Sequence, residues 1–320
     1  MKHRGASKEI LKEFRFVPWI VLFAGLLITW QTWRLAKVDA ESDLQNYFNF
    51  RVREVVDWTQ ERMRAHAQVL RGVKGLFIAS ERVDRDEFQS YVSTLNLEHN
   101  YPGILGVGYA IVVRPAQLHK QVAELRREAA LKGLPEYKLW PDGARELYTS
   151  IIYLEPFKGR NLSAFGYDMY SEPVRRAAME QACDTGEASL SGKVLLVQET
   201  DEDVQAGFLL YVPLYRNGMP HGTVAQRRAN IIGWVYSPLR MKDLSQGIYG
   251  ERADDLDIHV YDGDQMTEQT LMYDSGEVNH IHIRTIAGLS AIRHLSLYGH
   301  CVCWLNRPPI MVANKPPFME

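Results

Sequence analysis

Phe16–Trp33 reads FVPWIVLFAGLLITWQTW, eighteen residues without a charge, closed by Arg15 on one side and Arg34 on the other. At about 1.5 Å per residue, a helix of that length covers about 27 Å, close to the hydrocarbon thickness of a bilayer. Trp19 stands at one end and Trp30 and Trp33 at the other, where aromatic rings suit the two headgroup layers. Pro18 falls in the first turn, where its missing N–H costs little. The stretch shows no amphipathic stripe, unlike a buried core helix. A cleaved leader is the competing reading. The run is longer than a usual leader core, and no small-x-small cleavage site follows in RLAKVDAESD. Residues 16–34 are therefore expected to cross a membrane.

The flanks orient that span. Lys2, His3, Arg4, Lys8, Lys12 and Arg15 precede it, against Glu9 and Glu13. Positive charge stays inside, so residues 1–15 are expected in the cytoplasm and the bulk of the chain outside. The expectation is a single-pass protein of the inner (cell) membrane, in contact with lipid, with a periplasmic or extracellular bulk.

The remainder is long enough for about two domains of about 150 residues. Of the 320 residues, 46% are hydrophobic and 24% charged, which excludes wholesale disorder and low-complexity scaffolds. Thirty-seven Lys+Arg against 39 Asp+Glu give a net charge of -2, far from the basic balance of a nucleic-acid binder. Three cysteines are too few for a disulfide framework.

Beyond the span, residues 36–80 contain no proline, and no glycine before Gly72. Leu44, Phe48, Val52 and Val55 recur at steps of four, four and three, and Val69, Val73 and Phe77 repeat the pattern. That is helical spacing. A long stalk helix is expected, its apolar stripe packed on its own domain, on a second copy, or on both.

After residue 84 the pattern becomes mixed. Asp84 or Asp86 opens a short helix through Phe88, Val92 and Leu95. Ile104–Val113 reads as a strand, Gln117–Leu131 as a charged surface helix and Tyr148–Tyr153 as a strand. Ser171-Glu172-Pro173 starts a helix that Gly186 stops. Leu190–Val197 and Phe208–Leu214 read as antiparallel strands joined by an acidic loop. Ile231–Tyr236 and Ile258–Tyr261 are further strands, with Met241–Gly247 a short helix. Hairpin-like connections point to an α+β fold with antiparallel sheets. The break at Asn217–Pro220 places a boundary near 217–230.

Catalytic motifs are missing from the sequence: there is no Walker A, GxGxxG, GxSxG or HExxH. Cys301 and Cys303, near His294 and His300, form a spacing too weak to argue a metal site. Cys183 falls inside the 172–185 helix and reads as packed. The expectation is a protein that is not an enzyme and holds neither metal nor cofactor. Asp168 stands apart, set between Tyr167 and Met169-Tyr170 just before a helix start. It reads either as a polar anchor for the amines of a small ligand or as a cap for the following turn.

Four blocks, in order, resemble the CHASE domain family: NYPGILGVGYA (100–110), GYDMYSEPVRRAAMEQACDTGEASLSGKV (166–194), DVQAGFLLYVPLY (203–215) and GWVYSPLRMKDLSQGIYG (233–250). The resemblance extends over about residues 45 to 285. It implies the extracellular sensor domain of bacterial receptor histidine kinases, diguanylate cyclases and plant cytokinin receptors. The implied fold is a long helix followed by two PAS-like α/β modules, here a membrane-distal ligand-binding module at 84–216 and a membrane-proximal one at 217–285. Carried over residue by residue, the resemblance makes Asp168 the polar anchor and Leu190 an apolar wall of the ligand pocket. Thr185-Gly186 reads as structural.

The family usually returns through a second membrane helix to a cytoplasmic kinase or cyclase. Here the tail, 286–320, holds no second span, its longest uncharged run being Leu295–Asn306. It reads as a truncated or frame-shifted remnant, or as a variant that signals through a separate partner. The expected function is a membrane-anchored, homodimeric sensor of a small molecule, adenine-like or peptide, with no nucleic-acid partner. A membrane-tethered enzyme and an adhesive ectodomain are the alternatives.

Overall fold

The uncharged stretch and the stalk form one helix, α1 (Val17–Ala79), and not two. Residues 34–36 carry no Pro or Gly, so nothing in the backbone interrupts the ladder of hydrogen bonds there. The computed structural model of the chain describes residues 16–199, 203–249, 256 and 258–276. The expected cytoplasmic segment 1–15 and tail 286–320 lie outside the described residues. The chain divides into two units, Met1–Glu54 and Val55–Glu320. In the first, the uncharged run of α1 is wholly exposed, and α1 is long and apolar enough to cross a bilayer.

The second unit is built on a five-stranded antiparallel sheet. Its strands are β1 (Val107–Val113), β2 (Tyr148–Glu155), β3 (Ser189–Leu190), β4 (Gly207–Tyr215) and β5 (Ile231–Arg240), in the order β2-β1-β5-β4-β3. The helices interleave as α2 (Arg85–Thr94), α3 (Leu118–Leu131), α4 (Pro173–Thr185), α5 (Val224–Asn230) and α6 (Met241–Ile248). A separate two-stranded hairpin, β6 (His259–Tyr261) and β7 (Leu271–Asp274), follows.

Strand alternation sorts the side chains into two layers. Phe208, Leu210, Val212 and Leu214 of β4 pack with Val55, Leu70 and Val73 of α1 and with Phe88 and Val92 of α2. Leu209 and Tyr211, between them, face the other way and pack with Ala178, Met179 and Ala182 of α4 and with Trp234 and Tyr236 of β5. Every residue of β4 is buried, because helices cover both faces. Burying each large apolar side chain contributes roughly 1.5–3 kcal/mol.

Local chemistry sets the helix ends. Asp84 opens α2 with a capping box: its carboxylate accepts from the N–H groups of Asp86 and Glu87, and the Glu87 side chain accepts from the Asp84 N–H. Glu172 caps α4 by accepting from Val174 and Arg175, with Pro173 at the first position. Gly186 ends it at φ +79°, a backbone that glycine adopts without a Cβ penalty.

Two expectations need correction. The boundary near 217–230 falls within the five-stranded sheet, because β5 pairs with both β1 and β4. Residues 217–230 are the β4–β5 connection, carrying α5, and the sheet of the 84–216 module continues to Arg240. Among described residues, what remains for a proximal module is α6 and the β6–β7 hairpin. Second, the strand expected over Leu190–Val197 is shorter: β3 is Ser189–Leu190, followed by one isolated bridge from Val194 to Gly207. Between Ser191 and that bridge the chain bulges off the edge of the sheet toward the hairpin, where the Lys193 N–H donates to Asp262 Oδ2 at 2.7 Å.

Candidate ligand site

Asp168 lies against the outer edge of β2. An edge strand presents backbone groups that need partners. Here the Ile151 N–H donates to Tyr167 O, and the Thr149 N–H donates to Asp168 Oδ1 at 2.8 Å. Thr149 Oγ1 donates to the same oxygen at 2.9 Å, and the Tyr170 N–H donates to it at 3.1 Å. The carboxylate is fully buried, and its Oδ1 closes the sheet edge and caps the turn at Met169–Ser171. Oδ2 makes no hydrogen bond and faces Arg145 Nη1 at 3.4 Å. Burial raises the Asp168 pKa above its ordinary value, against the bonds from Thr149 and the charge of Arg145. Of the two readings of this residue, the cap is the one visible in the geometry.

Leu190 is buried in β3, at the opposite edge of the sheet, with three strands between it and β2. At about 4.8 Å per strand spacing, roughly 19 Å of sheet separates the two edges. Leu190 also packs in the layer of Phe208 and Leu210, whereas Tyr167 and Met169, beside Asp168, belong to the α4 layer. The structure does not bring Asp168 and Leu190 together.

Other residues do converge, between α4 and the sheet. Arg175 of α4 is 4% exposed. Its Nη1 donates to Tyr167 Oη at 3.1 Å, and its Nη2 donates to the carbonyl of Leu195 at 2.8 Å. Its guanidinium also sits over the Tyr167 ring, 5.3 Å from the centroid. Tyr211 Oη donates to the Met169 sulfur at 3.4 Å, a weak acceptor. Tyr236 is fully buried and its hydroxyl has no hydrogen-bond partner. Its ring lies on Gly108 of β1, where a Cβ would come within 2.5 Å of it. Burial raises the pKa of both tyrosines, opposed by the nearby charge of Arg175. One buried cation and three tyrosine hydroxyls, one of them unpartnered, thus meet in an otherwise apolar layer. Native interiors seldom leave such a hydroxyl unpaired without a reason.

No motif marks these residues in the sequence, although α4 carries a signal. Arg175, Ala178, Met179, Ala182 and Cys183 are the buried face of α4. The arginine therefore opens the apolar stripe of an amphipathic helix, where a charge is unexpected.

Among the described residues, cavities open at three places elsewhere, and neither Asp168 nor Leu190 lines any of these. One of about 1090 Å³ lies between the end of α1, α3 and the β1–β2 face, rimmed by charges of both signs. Another, about 520 Å³, lies between residues 193–195, 204–206 and β7. Among the described residues no group of three His, Cys, Asp or Glu side chains is placed to hold a metal. Cys301, Cys303, His294 and His300 lie outside them. Cys183 is buried and its thiol is pushed up to about 11, chiefly by desolvation, which disfavours the reactive thiolate.

The sheet, the long preceding helix and the layer under α4 now have a family context. The sequence matches the CHASE domain over residues 81–273, more than half of the chain. The chain belongs to the CHASE domain family. CHASE is a sensory extracellular domain of receptors. Among solved structures the chain is similar to one described as "Methyl-accepting Chemotaxis protein X". Identity is 14%, 75% of this chain and 81% of that chain are covered, and the TM-score is 0.30. No curated protein matches the chain.

Proposed function

We propose that this CHASE protein is a membrane-anchored extracytoplasmic sensor. The uncharged run of α1 crosses the cell membrane with residues 1–15 inside. A small molecule binds in the distal module, in the layer between α4 and the sheet. Binding favours one arrangement of that layer over another, and the bias passes to a partner that carries the output. The observation that carries this reading is the CHASE match on a chain whose α1 contains both an uncharged membrane-length run and Val55–Val73, packed on the sensor sheet. Asp168 contributes through Oδ2, the oxygen without a hydrogen bond, while Oδ1 holds β2. Leu190, on the far edge, is assigned to packing.

A second copy pairs along α1, where Leu44, Tyr47 and Phe50 are exposed. Two measurements test the proposal. Alkaline phosphatase inserted at Asn217-Gly218 is expected to be active, and a cytosol-dependent fluorescent reporter at the same site dark; the reverse pattern refutes the topology. The full chain in lipid nanodiscs is then titrated against purines, amino acids, organic acids and short peptides. At least one class is expected to bind.

A further inference from the structure

The geometry points to a carboxylate as the recognised group, with Arg175 as its counter-charge and the hydroxyls of Tyr236 and Tyr211 as further donors. This rests on the sensor reading above and adds the ligand class and the residues that read it.

Arg175 is poorly satisfied. A guanidinium offers five donors in a planar fork suited to two oxygens of one anion. Here its two described hydrogen bonds go to neutral oxygens, Tyr167 Oη and Leu195 O. The acidic group facing it is Glu172, at 3.8 Å. Both Glu172 oxygens are already committed to capping α4, accepting from Val174 at 3.0 Å and Arg175 at 2.8 Å. A buried cation held mainly by dipoles favours an anion that brings two oxygens. The Tyr236 hydroxyl, fully buried and without a partner, supplies an independent sign of a missing acceptor. Tyr211, bonded to a thioether sulfur, exchanges a weak acceptor for a strong one.

The fit also names what moves. Leu195 contributes its carbonyl while its side chain is 62% exposed, so little apolar packing holds it there. A carboxylate at Arg175 takes the place of that carbonyl. Two residues earlier, Lys193 ties the same segment to the β6–β7 hairpin: its N–H donates to Asp262, and its Nζ donates to Gln269 O at 2.8 Å and Leu271 O at 2.7 Å. Release of Leu195 therefore changes the segment that grips the hairpin, which is a contiguous route from the buried cation out of the five-stranded sheet.

The test uses the full chain in nanodiscs and isothermal titration. The probes are the twenty amino acids and mono- and dicarboxylic acids of two to six carbons, each paired with its amide or methyl ester, plus purine bases. A carboxylate is expected to bind and its uncharged counterpart not to. Arg175→Met should weaken that binding by about 100-fold and Arg175→Lys by about tenfold, because the lysine keeps the charge and loses the fork. Tyr236→Phe should weaken it by about tenfold. This last variant removes a hydroxyl that bonds to nothing in the free protein, so its melting temperature is expected to stay within about 1 °C of the parent. That keeps the proposal testable if Arg175→Met fails to fold. Equal affinity of the parent and Tyr236→Phe for the carboxylate, or equal binding of acid and ester, overturns it. Binding of a purine with none of any carboxylate overturns the ligand class and leaves the sensor reading standing. Binding of no probe at all counts against both.

Discussion

Replacing Asp168 separates its structural work from its charge. In Asp168→Ala, Oδ1 disappears and with it three hydrogen bonds. The Tyr170 N–H keeps an acceptor, Thr149 Oγ1 at 3.2 Å, but the buried Thr149 N–H has none left. An orphaned buried donor costs about 1–3 kcal/mol, and the lost cap about 1 more, so a loss of roughly 2–4 kcal/mol is expected. Asp168→Asn keeps the acceptor and sets an amide where Oδ2 faces Arg145. It should cost about 1 kcal/mol or less. The pH dependence follows from the raised pKa. The unfolded carboxyl titrates near 3.8 and the folded one above it. Its stabilising share is thus complete below the unfolded value and is lost as pH rises through the folded one. The asparagine variant escapes that loss, so its deficit relative to the parent should shrink between pH 4 and pH 7. Urea unfolding of the purified chain, followed by Trp fluorescence at both pH values, measures all three quantities. An alanine variant within about 0.5 kcal/mol of the parent, or an asparagine deficit that grows with pH, would refute the reasoning.

Three further outcomes are expected. Gly166 sits at φ +77°, and a Cβ there would lie 2.0 Å from the carbonyl of Lys138; Gly166→Ala should cost about 3 kcal/mol or more in the same unfolding assay. Arg240 pairs with the buried Glu199 at 2.9 Å and with Asp243 at 2.8 Å; Arg240→Ala leaves Glu199 with Arg160 at 3.9 Å and should cost about 3 kcal/mol, with faster protease cleavage between 199 and 205. In a Cys301→Ser, Cys303→Ser background, Cys183 should resist thiol reagents at pH 8 in the folded chain and react fully in denaturant, as its burial and raised pKa require.

Most local elements were readable because their causes are local. The uncharged run and the helical spacing of residues 36–80, without a Pro and with no Gly before Gly72, foretell α1, Asp84 and Glu87 write the cap of α2, and Pro173 and Gly186 bracket α4. Phe208–Leu214 reads as a strand, and its continuous apolar run suits the burial of both faces of β4. The strand expected over Leu190–Val197 is interrupted at Lys193, whose N–H is taken by Asp262, 69 positions later and outside any local pattern.

What the sequence determined by itself was the order of elements, the membrane-length run and the family membership carried by four blocks. Only the tertiary structure decided that β5 enters the middle of the sheet, that Asp168 and Leu190 stand at opposite edges, and that Arg175 shares a buried layer with Tyr211 and Tyr236. Periodicity reports which face of an element is apolar, but not which distant element meets that face. Strand pairing and the company of a buried charge depend on contacts between residues far apart in the chain, and no local pattern records them.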